Sequence, residues 1–146
     1  MKIAIAQINS TIGDFKGNRE TILRFTHEAA AAGAQLVVFP EMCLAGYPPL
    51  DLINYNSFVS ENLKSLRRLQ RKAPPEIGLV VGYIDMNREG TGKKYLNAAA
   101  LIYKNEIIHK QAKTLLPTYD VFDEARYFEP ARERRPVAFE DERIGL

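Results

Sequence analysis

Two side chains in this 146-residue chain stand where a folded sheet could use them for chemistry. Glu41 follows the apolar run Gln35 to Phe39 across a single proline, in Val37-Val38-Phe39-Pro40-Glu41. Lys113 closes the strand-like stretch Glu106 to Lys113 and lies four residues before Pro117 of a Leu-Pro exit. Open α/β sheets present functional groups at the carboxyl ends of their strands. A carboxylate held there can take up and return a proton. An ammonium can meet negative charge that develops on a carbonyl oxygen. Taken singly, each has an ordinary alternative, since most glutamates and lysines are solvated surface charges. A third stretch, Thr118 to Pro130 (TYDVFDEARYFEP), is dense in aromatics and charges and has no helical period. It reads as a loop that packs its rings over something.

The elements that must position these groups follow from periodicity. Lys2 to Ile8 is a short, β-branched apolar segment, and Gln35 to Phe39 is the continuous apolar run of a strand buried on both faces. Between them, Asn18 is the expected N-cap of a helix, with Glu20 in its first turn. Ile22, Phe25, Ala29 and Ala32 share one face, and Gly33 is the expected C′ residue. Gly46-Tyr47-Pro48-Pro49 is a turn. A second helix spans Ser57 to Lys72, with Val59, Leu63 and Leu66 inward and Arg67, Arg68, Arg71 and Lys72 on a solvated face. Strands follow at Ile77 to Ile84, Tyr95 to Tyr103 and Glu106 to Lys113, joined by a polar hairpin loop at Asn87 to Gly92 and a tight turn at Lys104-Asn105. Val137 to Phe139 and Arg143 onward read as two more. The order β-α-β-α and then hairpin-linked strands implies an α/β fold, a mixed sheet with helices on one face. An apolar strand that starts at Arg143 and stops at Leu146 reads as part of a larger domain.

Composition narrows the function. Twenty Lys and Arg against eighteen Asp and Glu leave a net charge of +2, no electrostatic case for nucleic acid. The single cysteine, Cys43, forbids an internal disulfide. Neither a signal peptide nor a membrane-length apolar run is visible, so a cytoplasmic location is expected, with no membrane partner. His27, His109 and Cys43 lie too far apart for a zinc signature, and no metal is expected. No Gly-rich phosphate loop occurs.

Together the segments resemble the nitrilase-like amidohydrolase superfamily. LVVFPE is similar to its glutamate block, and the stretch around Lys113 to its lysine block. GYPPLDL (Gly46 to Leu52) and LPTYDVFDEARYFEP (Leu116 to Pro130) are more specific. They resemble the glutaminase domains of glutamine-dependent NAD⁺ synthetases. The resemblance covers essentially the whole chain. The chain departs at Thr118 and Asp120, where many members carry Asn and Gly.

The resemblance implies a nitrilase-like layered α-β-β-α sandwich, of which residues 1–146 are the N-terminal portion. It implies a Glu-Lys-Cys triad with Glu41 as general base and acid and Lys113 stabilising the tetrahedral intermediate. The cysteine is expected just beyond Leu146, so the chain lacks its nucleophile. Cys43, two residues from Glu41, reads instead as packing. Glu124, grouped with the substrate-binding residues, is expected to hold lysine and base in register. Tyr47, Tyr119 and Phe122 are expected to line a glutamine pocket, with core packing equally open for each. The implied partners are L-glutamine, a C-terminal synthetase domain of the same chain and further copies in a homo-oligomer. No cofactor is expected here, while ATP and Mg²⁺ belong to the synthetase domain. A free-standing amidase on a small amide, or a non-catalytic assembly piece, are the other readings.

Overall fold

The computed structural model describes residues 1–120 and 122–146. Five strands form one sheet in the order β1 (Ile3–Ile5), β2 (Leu36–Val38), β3 (Gly78–Met86), β4 (Tyr95–Tyr103) and β5 (Glu106–Ala112). The first three are parallel, and β4 runs antiparallel to both of its neighbours, β3 and β5. The parallel neighbours are reached through two helices, α1 (Phe15–Ala31) and α2 (Asn56–Lys72), and the antiparallel ones through hairpins. Parallel pairing needs a crossover, whereas antiparallel pairing needs only a turn.

The two faces of the sheet carry separate cores. Ile22 and Ala29 of α1 and Leu66 and Leu69 of α2 pack on Val37, Leu79, Val81, Tyr83, Ala98, Ala100 and Ile102. The alternate residues Leu36, Val80 and Leu101 face the other way and meet Phe139. Phe139 belongs to β6 (Val137–Phe139), which pairs with β7 (Glu142–Ile144) in a separate two-stranded sheet. The last segment is therefore not a strand of the main sheet, as its apolar start implied. It pairs with β6, and that hairpin covers the face opposite the helices.

Other local expectations shift for identifiable reasons. Helix α1 starts a turn before Asn18: Asp14 is its cap, and its Oδ1 accepts from Gly17 N at 2.9 Å. Glu20 consequently lies beyond the first turn. Asn18 is buried inside the helix because it has better partners. Its Oδ1 accepts from Thr11 N, and its Nδ2 donates to Thr11 O and Leu44 O. At the other end Gly33 does take the left-handed C′ conformation, with φ 76. Ala34 N donates to Ala29 O and Gly33 N to Ala30 O, the paired bonds of a Schellman cap. Ala32 is the exposed C-cap rather than a core residue, and Thr26 takes its place on the buried face.

What most directly aims the glutamate is Gly82, in the middle of β3. The chain leaving β2 folds over this position, with Leu44 N donating to Gly82 O at 3.2 Å. A Cβ at Gly82 would lie 2.3 Å from Met42 N and 2.6 Å from Pro40 O. Both are backbone atoms and cannot swing aside. Only glycine lets residues 40–42 cross β3 so closely. Gly82→Ala should therefore destabilise the intact protein by about 1–3 kcal/mol, as overpacking in a filled core does, which urea unfolding would measure directly.

Candidate active site

Three elements deliver three charged side chains to one point. Glu41 stands on the elbow after β2, Lys113 directly follows β5, and Glu124 opens a single helical turn, α3 (Glu124–Tyr127). The Lys113 ammonium lies 2.9 Å from Glu41 Oε1, and 3.1 and 3.0 Å from the two oxygens of Glu124. The backbone of Lys113 is held on both sides. Its N–H donates to Asn97 O at 2.7 Å, and its carbonyl accepts from Ala131 N at 2.9 Å. Position 113 thus continues the ladder one residue past β5, so its side chain leaves the sheet from a fixed backbone.

The three groups differ in exposure. The Glu124 side chain is 5% exposed, Lys113 31% and Glu41 40%. Glu124 is buried with both oxygens engaged: Oε1 also accepts from the Tyr47 hydroxyl at 3.0 Å, and Oε2 from Asn97 Nδ2 at 3.2 Å. A buried carboxylate is tolerated when paired and hydrogen-bonded in this way. Asn97 Nδ2 donates to Glu41 Oε1 as well. Asn97 had no part in the sequence reading. Its signal was present, since an amide in the middle of the apolar strand Tyr95–Tyr103 must find a partner when buried.

The electrostatics follow from the pairing. Burial pushes the Glu41 carboxyl upward, but the hydrogen bonds from Lys113 and Asn97 and the lysine charge outweigh it and hold it below the ordinary 4.5. Burial likewise pushes Lys113 down, and its two carboxylate partners outweigh that and hold it above the ordinary 10.5. Both groups are charged at neutral pH. Cys43 is the opposite case. It is 1% exposed, and its thiol hydrogen-bonds Gly82 O at 3.6 Å. Burial pushes its pKa up to about 12. A thiol so raised and enclosed supplies no thiolate at neutral pH.

Glu41, Asn97 and Lys113 line an open hollow of about 310 Å³ with Gly82, Arg134 and Leu146. Tyr47, Phe122 and Glu124 line a neighbouring tight crevice of about 20 Å³ with Met42, Ile53 and Phe128. The Glu124 carboxylate reaches between them to Lys113. Tyr119 is 69% exposed and stands edge-on to Phe122, with ring centroids 5.5 Å apart. The aromatics therefore run from half-buried Tyr47 and Phe122 to the surface at Tyr119. Asp120, where many members of the resembled family carry glycine, has φ 55. That is the left-handed conformation glycine adopts freely and aspartate tolerates. Val121 lies outside the described residues. His27 is exposed on α1, and His109 lies on β5 away from the cluster.

With the sheet order and this cluster described, comparison with known proteins decides the relationship. Residues 2–146 match the carbon-nitrogen hydrolase family. The chain belongs to the carbon-nitrogen hydrolase family. A glutamine-dependent NAD⁺ synthetase of Synechocystis sp. is 42% identical over 148 residues, covering 99% of this chain and 26% of the relative. The solved glutamine-dependent NAD⁺ synthetase of Acinetobacter baumannii, in complex with ADP, superposes with a TM-score of 0.89 at 26% identity, over 98% of this chain and 26% of that one. An amidase of Nesterenkonia sp. shares the fold at a TM-score of 0.80 and 23% identity, over 54% of its own chain. The chain spans about a quarter of the length of the synthetases it matches. Among the described residues no helix is long and apolar enough to cross a membrane.

The pairing has a pH signature. The Glu41 carboxyl is lowered, so its contribution to stability is complete above the ordinary 4.5 and is lost as pH falls through its lowered folded value. The Lys113 contribution is complete below 10.5 and is lost as pH rises through its raised value. Lys113→Met removes the lysine's hydrogen bond and charge from the ionised Glu41 and leaves the bond from Asn97. The Glu41 titration, followed by carboxyl-carbon NMR, should move to higher pH in that variant. An unmoved titration would show that the lysine does not govern the carboxylate.

Proposed function

We propose that this chain is the front part of a glutamine amidohydrolase domain that supplies ammonia to a synthetase domain of the same protein. The observation that carries the reading is the Lys113 ammonium held between Glu41 and Glu124 at the rim of the hollow that Leu146 also lines. The proposed nucleophile is a cysteine outside residues 1–146, as the family resemblance implies. The family membership and the synthetase relatives support the same reading.

In the proposed reaction the thiol sulfur attacks the side-chain amide carbon of L-glutamine while Glu41 takes the S–H proton. A free thiol is only slightly ionised at neutral pH, so it needs such a base. A carboxylate as acidic as Glu41 is a weak base on its own. The neighbouring Lys113 charge compensates by favouring the thiolate and then the oxyanion of the tetrahedral intermediate. As the C–N bond breaks, Glu41 returns the proton to nitrogen and ammonia leaves a thioester. Water, deprotonated by Glu41, then attacks the thioester, giving glutamate and the thiol again. Glu124 touches no reacting atom in this scheme. Together with Tyr47 it holds the lysine in place. Phe122 and Tyr119 line the approach of the amino acid.

The ammonia is proposed to amidate nicotinic acid adenine dinucleotide to NAD⁺ in the synthetase domain, in a cytoplasmic homo-oligomer. ATP and Mg²⁺ serve that domain. The carboxylates of this site do not suit Mg²⁺, because both already surround an ammonium, and the described residues contain no group of three or more candidate metal ligands.

The test uses the intact protein with two nitrogen sources. Glu41→Ala and Lys113→Ala should each lower glutamine-driven NAD⁺ formation by at least about 10²–10³-fold, while formation from free ammonia stays near the parent rate. Equal loss with both sources would make these residues structural and refute the assignment. Residues 1–146 alone should hydrolyse no glutamine, and turnover from them would refute the assignment of the nucleophile to a residue outside this chain.

A further inference from the structure

Asn97 touches all three charged groups of the site, and its contacts treat the two oxygens of Glu41 differently. Asn97 Nδ2 and Lys113 Nζ both donate to Glu41 Oε1. Among the described residues no donor meets Glu41 Oε2. The same Asn97 nitrogen donates to Glu124 Oε2 at 3.2 Å, and its backbone carbonyl accepts from Lys113 N at 2.7 Å. The residue is 3% exposed and sits within β4, an interior strand of the sheet, so it has little freedom to move.

The chemistry of an amide suits this place. Two carboxylates share one ammonium here, so a further donor is needed that adds no charge. A primary amide supplies two N–H bonds from one neutral nitrogen. Turned over, it would aim its carbonyl oxygen at two carboxylates, so the charges around it set its orientation. A carboxyl group has a soft terminal torsion with two near-equivalent settings. Donors converging on one oxygen remove that equivalence.

We infer that Asn97 is a positioning residue of the proposed hydrolysis, anchoring Glu41 through Oε1 and leaving Oε2 as the oxygen that carries the proton. This rests on the reading of Glu41 as the general base. The S–H bond of the nucleophile breaks as an O–H bond forms at Oε2, and the sulfur electron pair forms the bond to the amide carbon. The O–H bond then breaks as the proton passes to the leaving nitrogen. The anchored oxygen stays with Lys113 and Asn97 throughout, so the base does not rotate between the two transfers. The charged and titratable groups that face Glu41 in this arrangement are Lys113 and Glu124, with Tyr47 beyond Glu124 and Arg134 on the wall of the hollow.

The experiment measures kcat, KM for glutamine and the pH profile of the intact protein carrying Asn97→Ala, with ammonia-driven synthesis as the parallel readout. Misplacing a catalytic group by about 1 Å costs on the order of 10²-fold, so kcat with glutamine should fall about 10- to 100-fold. The KM for glutamine should stay within about threefold, because the lost contact is not one to substrate. The acid limb of kcat/KM should move to higher pH, since Glu41 loses a donor to its ionised form. Asn97→Asp keeps the shape but adds a third carboxylate, and should move the limb further in the same direction. Ammonia-driven synthesis should be unchanged in both. An Asn97→Ala protein with the parent kcat and acid limb overturns the inference. So does a parallel loss of ammonia-driven synthesis, or failure of both variants to fold, because either marks Asn97 as a residue of the fold. Glu41→Ala run alongside separates the two levels. If it hydrolyses glutamine at the parent rate, the general-base reading itself fails. If it is dead while Asn97→Ala is normal, only the role of Asn97 fails.

Discussion

One ammonium between two carboxylates organises this part of the molecule. Lys113 comes from the end of β5, Glu41 from the elbow after β2 and Glu124 from the loop after Lys113, and they share no other covalent reason to be near one another. Glu124 is buried, and the lysine and two neutral donors engage both of its oxygens. Glu41 is then a second negative group against a single positive one. The arrangement holds because neutral donors, the Asn97 amide and the Tyr47 hydroxyl, also donate to the carboxylate oxygens that meet the lysine. Exposure rises from Glu124 through Lys113 to Glu41, so the buried carboxylate anchors the cluster and the other one faces the hollow.

The sheet serves this cluster in ways that are not charged. Gly82 lets the chain after β2 pass over β3 at backbone contact distance, which sets where Glu41 stands. Asn18, buried in α1, ties the helix to the loop before it and to Leu44 just after the elbow. The β6–β7 hairpin closes the face opposite the helices through Phe139 and brings the last residues of the chain beside Glu41 and Lys113. Cys43 shares the elbow with Glu41 but faces the packed side, where burial suppresses its ionisation. Two side chains close in sequence are thus separated: Glu41 faces the hollow and Cys43 is packed in the core.

Much of this was legible in the linear chain, because strands and helices report themselves by period. The apolar run before Glu41, the face of Ile22 and Ala29, and the glycine after α1 each point to a definite local structure. Family motifs singled out Glu41, Lys113 and Glu124, and the fold brings those three together. Asn18 was misread as a cap because capping rules consider only the next few residues, whereas its actual partners lie in loops on either side of the helix. Asn97 escaped notice because a single polar residue in a strand says that a partner exists, not which one. The resemblance grouped Tyr119 with Tyr47 and Phe122, and how far the loop carries it to the surface was not legible in the sequence.

By itself the sequence determined the kinds of element, their order, the family and the charged groups able to do acid-base work. These depend on local periodicity and on residue type, which are present before folding. Only the tertiary structure decided that Lys113 bridges two carboxylates, that Asn97 holds the same oxygen of Glu41 as Lys113 does, and that Cys43 points into the core. Those outcomes depend on distances between residues far apart in the chain, set by strand register and by which atoms can approach without clash, and no local pattern encodes them.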